Sequence, residues 1–407
     1  MKNRIFKNME WWILISAILL CIVGFVALYS ASQQLELQYL KRQIIWFGIS
    51  IVIMIITMFI NYETLSKLSP IFYGFAIITL IAVLFTRTIN GANSWFNIGF
   101  FSFQPAELAK VSVILFLATV MVKIQEKGKQ EINVFWKLLI VLSVVLVPIF
   151  LIILQPDYGT AAAYIIAMIL MLFVSGIDRK YIITAILLVI VMVPLLYMFV
   201  LPDHAKKRID VFLNPEADPK GSGYNVIQSK IAIGAGELSG MGILNGNQTQ
   251  LGYLSPKTTD FIYSVIGEEM GFVVAGAVVL VYVTLITRAL YVAKTAKDDL
   301  GSYIAAGISG IFLFHMTENI GMTMGLLPIT GVPLLFISYG GSSMITSFIC
   351  IGLLLNISGN RKKTIFIKWR SIYKDYLLLR FQMYKVRGRR SEVRNPTSNI
   401  QLPTSNL

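Results

Sequence analysis

Three carboxylates, Asp260, Glu268 and Glu269, fall at the mouth and in the first turns of one long apolar stretch. Ionisable groups are costly inside an apolar run and persist there for function or with a partner. Asp260 marks the junction between that stretch and a polar loop, where a positioned carboxylate can take a proton from a reacting group. The plainer reading is a helix cap: a carboxylate also satisfies the free N–H groups of a first turn, and Thr259 could serve equally. Glu268 and Glu269 lie deeper and need a function or partners. Elsewhere, Glu107 and Lys110 stand i, i+3 on one helix face, the spacing of an internal ion pair. Asp157 sits in Gln155-Pro156-Asp157-Tyr158-Gly159, a tight external turn between two apolar runs. Glu318 and Asn319 are expected to be buried and paired.

The elements that must hold these groups are membrane helices. The chain has 407 residues, of which 56% are hydrophobic and 14% charged, against about a quarter charged in a soluble protein. Apolar blocks recur near 11–31, 44–60, 69–86, 106–124, 135–154, 160–176, 181–201, 261–287, 302–323 and 334–357. They predict an all-α, polytopic membrane domain over 1–357 with about ten transmembrane helices. A long external loop, 202–260, joins spans seven and eight. The least regular stretches are 160–176 and 324–340. The first block lacks a small-residue cleavage site and reads as a retained span. With the N-terminus in the cytoplasm, the inner segments hold most of the Lys and Arg, and the short outer loops hold only Lys41, Arg42 and Arg87. That bias satisfies the positive-inside rule, and an even number of spans places both termini in the cytoplasm.

The loop 202–260 is rich in Gly, Pro and polar residues without being low-complexity, and its length points to function. Within it, 224–234 reads as a short interfacial or re-entrant helix. After the last span, residues 361–394 carry twelve Lys/Arg and two acids out of a total net charge of +14. Ile365, Trp369, Ile372, Tyr376, Leu379 and Met383 follow helical spacing there. A basic amphipathic helix on the anionic inner leaflet is the expectation for 358–394, and a disordered end for 395–407. The two cysteines, Cys21 and Cys350, sit inside spans and suggest neither a disulfide nor a metal pair. No phosphate-binding P-loop and no nucleic-acid-reading module is present.

Several separated motifs, in order, carry a resemblance to a known family. They are Asn93-Ser94-Trp95, Gln104-Pro105-Ala106-Glu107-Leu108-Ala109-Lys110, Gln155-Pro156-Asp157-Tyr158-Gly159-Thr160, the run from Arg208 to Gly271, Asn319-Ile320-Gly321-Met322 and Ile337-Ser338-Tyr339-Gly340-Gly341-Ser342-Ser343. Over about 10–357 the chain resembles the SEDS proteins of bacterial shape, elongation, division and sporulation, and within them the elongation branch. The resemblance implies a peptidoglycan glycosyltransferase of the cytoplasmic membrane. It would polymerise lipid II, a disaccharide-peptide on undecaprenyl pyrophosphate, beside a class B penicillin-binding protein and other elongation-complex proteins. It also implies an essential role for Asp260 and a part for Trp95. Two positions depart from the family pattern: Pro256 stands where a glutamate is common and Thr258 where a histidine is. Leu335 replaces a common second proline in the last external turn.

The chemistry fits the residues. Extending a glycan requires deprotonation of a sugar hydroxyl as it attacks an anomeric carbon, a task for Asp260 as general base. The leaving pyrophosphate needs positive charge. Lys206, Lys207, Arg208 and Lys230 of the loop are the substrate-binding candidates, with Thr259 and Trp95; a divalent cation, Mg²⁺ or Mn²⁺, would be held mainly by the phosphates. Trp95 could stack on a sugar or anchor at the membrane interface. Two other readings stay open: a lipid II flippase, since interior carboxylates and broken helices suit transport, and a noncatalytic scaffold of the synthase complex.

Overall fold

A computed structural model describes residues 8–33, 36–86, 94–98, 101–199, 203–218 and 221–361. The first transmembrane candidates are helices α1 (Trp11–Ala31), α2 (Gln38–Phe59) and α3 (Tyr62–Val83). A small antiparallel hairpin follows, β1 (Phe96–Ile98) with β2 (Phe101–Phe103), Phe96 opposite Phe103. Then come α4 (Pro105–Ile124), α5 (Phe135–Ile153), α6 (Tyr158–Ser175) and α7 (Arg179–Phe199). The long loop holds α8 (Asp203–Leu213), α9 (Ser222–Ala235) and the single turn α10 (Asn247–Gln250). The chain re-enters the bundle through α11 (Ile262–Thr295), α12 (Asp299–Thr323) and α13 (Gly341–Gly359).

Nine described helices are long and apolar enough to cross a membrane. The remaining expected span, near 106–124, is α4. It is a 20-residue helix that carries Glu107 and Lys110 in its first turns and packs on α3, α5, α6, α12 and α13. Such a charged pair is tolerable only because the bundle surrounds it. The core of the bundle is α4, α12 and α13, with α12 and α13 the most buried of the candidate spans. Close packing there depends on small residues, as membrane helices require. A methyl on Gly310 of α12 would lie 2.7 Å from the Ala167 Cα of α6.

Three boundaries differ from the sequence reading. Helix α2 starts at Gln38 and includes Lys41 and Arg42, which the hydropathy pattern left in a loop. The last span begins at Gly341 instead of 334, because the apolar run Leu334-Leu335-Phe336-Ile337 is buried but not helical. In the loop, α9 extends the helix expected at 224–234, whereas α8 is an addition. Of the tail expected at 358–394, only 358–361 lie within the described residues; the basic amphipathic helix and 395–407 lie outside them.

Helix α11 is broken at Gly271, whose φ of 75° is open to glycine and strained for other residues. The loop repairs the break. Met241 and Gly242 donate to the carbonyls of Glu268 and Glu269, and Phe272 and Val273 donate to those of Glu237 and Leu238. Both ends of the described chain meet at one end of the bundle: Glu10 N–H donates to Ser358 at 3.2 Å, and Arg361 pairs with Glu10 at 2.7 Å. Lys129 and Lys297 sit at that same end, paired with Asp299 and Glu63. The first turn of α11 and the start of α13 lie at the opposite end.

Candidate active site

At that opposite end is a cavity of about 350 Å³. Its wall is assembled from five stretches of the chain far apart in sequence. Ser94, Trp95 and Gln104 come from around the hairpin, Glu107 from α4, and Pro156, Asp157 and Thr160 from the entry to α6. Arg208 comes from α8, Pro256, Thr259 and Asp260 from the end of the loop, Thr330, Gly331, Pro333, Tyr339 and Gly340 from the segment between α12 and α13, and Ser342 and Ser343 from the first turn of α13.

Asp260 is held by its backbone, which leaves its side chain to the cavity. Asn319 of α12 donates to the Asp260 carbonyl at 3.0 Å and to that of Val332 at 2.9 Å. The Ser338 hydroxyl donates to the Thr259 carbonyl at 2.7 Å, and Tyr339 N–H to that of Thr258 at 3.0 Å. Gln43 of α2 in turn grips both sides of that turn, donating to the Ser338 carbonyl and accepting from Gly340 N–H. The loop end and the segment before α13 are therefore one laced unit. The cap reading of Asp260 does not hold: the N-cap of α11 is Phe261, which makes no side-chain capping bond.

The Asp260 carboxyl opens onto the cavity yet is surrounded by protein. Burial pushes it up to about 6, with the Thr259 hydrogen bond and the Arg208 charge pulling the other way. A carboxylate in that range is a competent base near neutral pH. Gly331 is its neighbour across the cavity, where a methyl would sit 3.5 Å from Asp260 Oδ2. Asp157 accepts from Gln104 at 2.8 Å and from Thr160 N–H at 3.1 Å, and burial raises its carboxyl as well.

The sequence candidates divide. Trp95, Thr259, Asp260 and Arg208 share the cavity wall, and so do two groups first read as structural, Glu107 and Asp157. The four basic candidates do not act together. Arg208 lines the cavity and donates a long hydrogen bond, 3.4 Å, to the Thr330 carbonyl. Lys207 is turned to Asp218 at 3.2 Å, Lys206 reaches the Met198 carbonyl at 3.5 Å, and Lys230 lies against Gly325; none of these three is on the wall. The ion pair of Glu107 and Lys110 is present at 2.7 Å. Glu318 accepts from the Thr330 hydroxyl at 2.8 Å.

Glu268 and Glu269 have partners and no place on the cavity. Glu268 accepts from Gln248 N–H at 2.7 Å, Thr249 N–H at 3.0 Å and the Thr249 hydroxyl at 2.6 Å, so it caps the turn α10. Glu269 accepts from Ser30 of α1 and Gln250. Together they fasten the loop to the bundle. Gln104, Ser338 and Gln43 were missed as site residues. Their signal was available in the sequence: isolated polar side chains inside or beside apolar runs, which must find partners when buried.

Among the described residues no three His, Cys, Asp or Glu side chains gather closely enough to hold a metal ion.

A bundle of membrane helices with an acid-lined cavity at one end defines a polytopic membrane protein with a surface-facing site. The family described as Cell cycle protein, that of FtsW, RodA and SpoVE, matches residues 10–363, and this chain belongs to it. The chain is 36% identical over 354 residues to the peptidoglycan glycosyltransferase MrdB of Escherichia coli strain K12, spanning 85% of this chain and 92% of that protein. It is 31% identical over 438 residues to the peptidoglycan glycosyltransferase RodA of Treponema pallidum, spanning 89% and 100%. A solved chain from work on the structural coordination of polymerization and crosslinking by a peptidoglycan synthase complex superposes with a TM-score of 0.75 at 29% identity, covering 87% of this chain and 99% of that one.

Proposed function

We infer that this chain is a peptidoglycan glycosyltransferase, polymerising lipid II into glycan strands during cell elongation. The observation that carries the reading is one carboxylate, Asp260, fixed through its backbone and facing a cavity that it shares with Arg208 and Trp95. In the reaction a sugar hydroxyl of one substrate attacks the anomeric carbon of the other. Asp260 takes the hydroxyl proton as the new glycosidic bond forms and the bond to pyrophosphate breaks. Arg208 meets the charge that collects on the departing phosphates. A divalent cation, Mg²⁺ or Mn²⁺, carried by the pyrophosphate itself would add to that charge. Trp95 offers a ring face to a sugar.

The cavity lies on the outer face of the cytoplasmic membrane and both termini lie inside. Support comes from the Lys/Arg bias together with the meeting of the described chain ends at the end of the bundle opposite the cavity. The partner is a class B penicillin-binding protein that cross-links the product. The break in α11 is the feature that most favours the flippase reading, but its backbone groups are taken by the loop instead of being left for an ion.

The test is purified protein incubated with lipid II, with and without the cross-linking partner. Glycan chains are expected. Movement of lipid II between vesicle leaflets with no chains would replace this reading with transport.

A further inference from the structure

Glu107 is 1% exposed, and its carboxylate is only half used. Oε1 pairs with Lys110 Nζ at 2.7 Å, while Oε2 has no hydrogen-bond partner among the described residues. A buried carboxylate oxygen without a donor costs free energy, so an ion pair serving stability alone should close both oxygens. Helix α12 explains why it does not. Lys110 Nζ is also 2.8 Å from His315 Nε2, and His315 Nδ1 is 2.9 Å from the Pro333 carbonyl. A carbonyl only accepts, so Nδ1 carries the ring proton and Nε2 offers a lone pair to the ammonium. Lys110 is thereby shared between two acceptors on two helices. Pro333 and Glu107 both belong to the cavity wall, so His315 ties the ion pair to that wall from behind.

We propose that His315 is a positioning residue that draws Lys110 off the second oxygen of Glu107, leaving that oxygen to accept a hydroxyl or amide N–H of the sugar substrate. The proposal rests on the glycosyltransferase reading. It also orients the substrate. A carboxylate accepts from neutral donors and repels phosphate, so the sugar lies toward Glu107 and the pyrophosphate toward Arg208.

The experiment is steady-state kinetics of the full-length purified protein with lipid II. In His315→Leu the ammonium is free to close on both oxygens of Glu107. KM should rise about tenfold, the worth of one hydrogen bond to a charged group, with kcat changed much less. His315→Gln restores an acceptor for Lys110 and should bring KM back near the wild-type value. A folded His315→Leu protein with wild-type KM would overturn the proposal. Should that variant not fold, Glu107→Gln/Lys110→Met decides. It removes both charges together and leaves no unpaired ion; a purely structural pair would allow it a normal KM, whereas a substrate-binding Glu107 requires a raised one. Asp260→Asn in the same assay reports on the base separately, so failure of the base assignment and failure of this proposal give different results.

Discussion

Asp260 and Glu268 stand two turns apart on the same strand of sequence, both acidic, both enclosed, and the structure uses them in opposite ways. Around Asp260 the protein grips the backbone: Asn319, Ser338 and Tyr339 bind the carbonyls of 258–260 and leave the carboxylate to the cavity. Around Glu268 it grips the side chain, with three donors from Gln248 and Thr249. A carboxylate whose oxygens are consumed by the protein is a fastener. One that is held chiefly through its main chain, with its carboxylate on a cavity wall, is available to a substrate. Sequence position alone does not separate the two; the placement of donors does.

The comparison breaks most visibly at Asp260. Asp260→Asn should slow glycan formation from lipid II by about 10²- to 10⁴-fold, the usual share of a general base, while the protein still inserts and folds. Near-normal polymerisation by a well-folded Asn variant would end the base assignment. At Glu268 the expected loss is in stability. Glu268→Ala strands two backbone N–H groups and a hydroxyl, at about 1–3 kcal/mol each. Thermal unfolding in detergent should show a lower midpoint, with Glu268→Gln intermediate; an unchanged midpoint would remove the fastener from the comparison.

Acidity sharpens the contrast. Because the folded-state carboxyl of Asp260 is raised to about 6 from 3.8, kcat/KM should climb with pH and level off above that value. The same shift has a stability sign. Between about pH 3.8 and 6 the folded chain binds the Asp260 proton more tightly than the unfolded chain does. Wild-type stability therefore declines as pH rises through that window, and the Asn variant, with nothing to titrate there, does not share that part of the decline. Unfolding midpoints of the two proteins measured across the window check this; parallel curves would contradict it. The smallest effect is expected at Trp95. Trp95→Ala should raise KM for lipid II about three- to tenfold and Trp95→Phe less, since a ring face remains. Full activity of the Ala variant would leave Trp95 as an interfacial anchor only.

The helices were legible in the sequence because a bilayer demands uninterrupted apolar length, and α1 and α5 follow the hydropathy blocks closely. Legibility ended where burial and helicity part. Leu334-Leu335-Phe336-Ile337 is as apolar as any span, but it is packed as irregular chain behind the cavity, and hydropathy cannot tell the two apart. The polar helix α8 hid for the opposite reason, having no apolar block to announce it. At the site, Asp260 and Trp95 stood out through motifs. The choice of Arg208 over Lys206 and Lys207 did not, since three adjacent cations differ only in the direction each takes from one helix. The role of His315 depends on contacts from α4 and from the segment after α12, which no local spacing encodes.

The break at Gly271 also bears on how the protein is made. Four peptide groups, two on each side of it, depend on residues 237–242 for their hydrogen bonds, and a buried peptide group left bare costs several kcal/mol. Those residues precede α11 in the chain, so the ribosome delivers the splint before the fracture it must set. A circular permutant opened within the loop, with 237–242 translated last, would reverse that order and leave the nascent helix waiting, bare at its break, for the whole of the remaining synthesis.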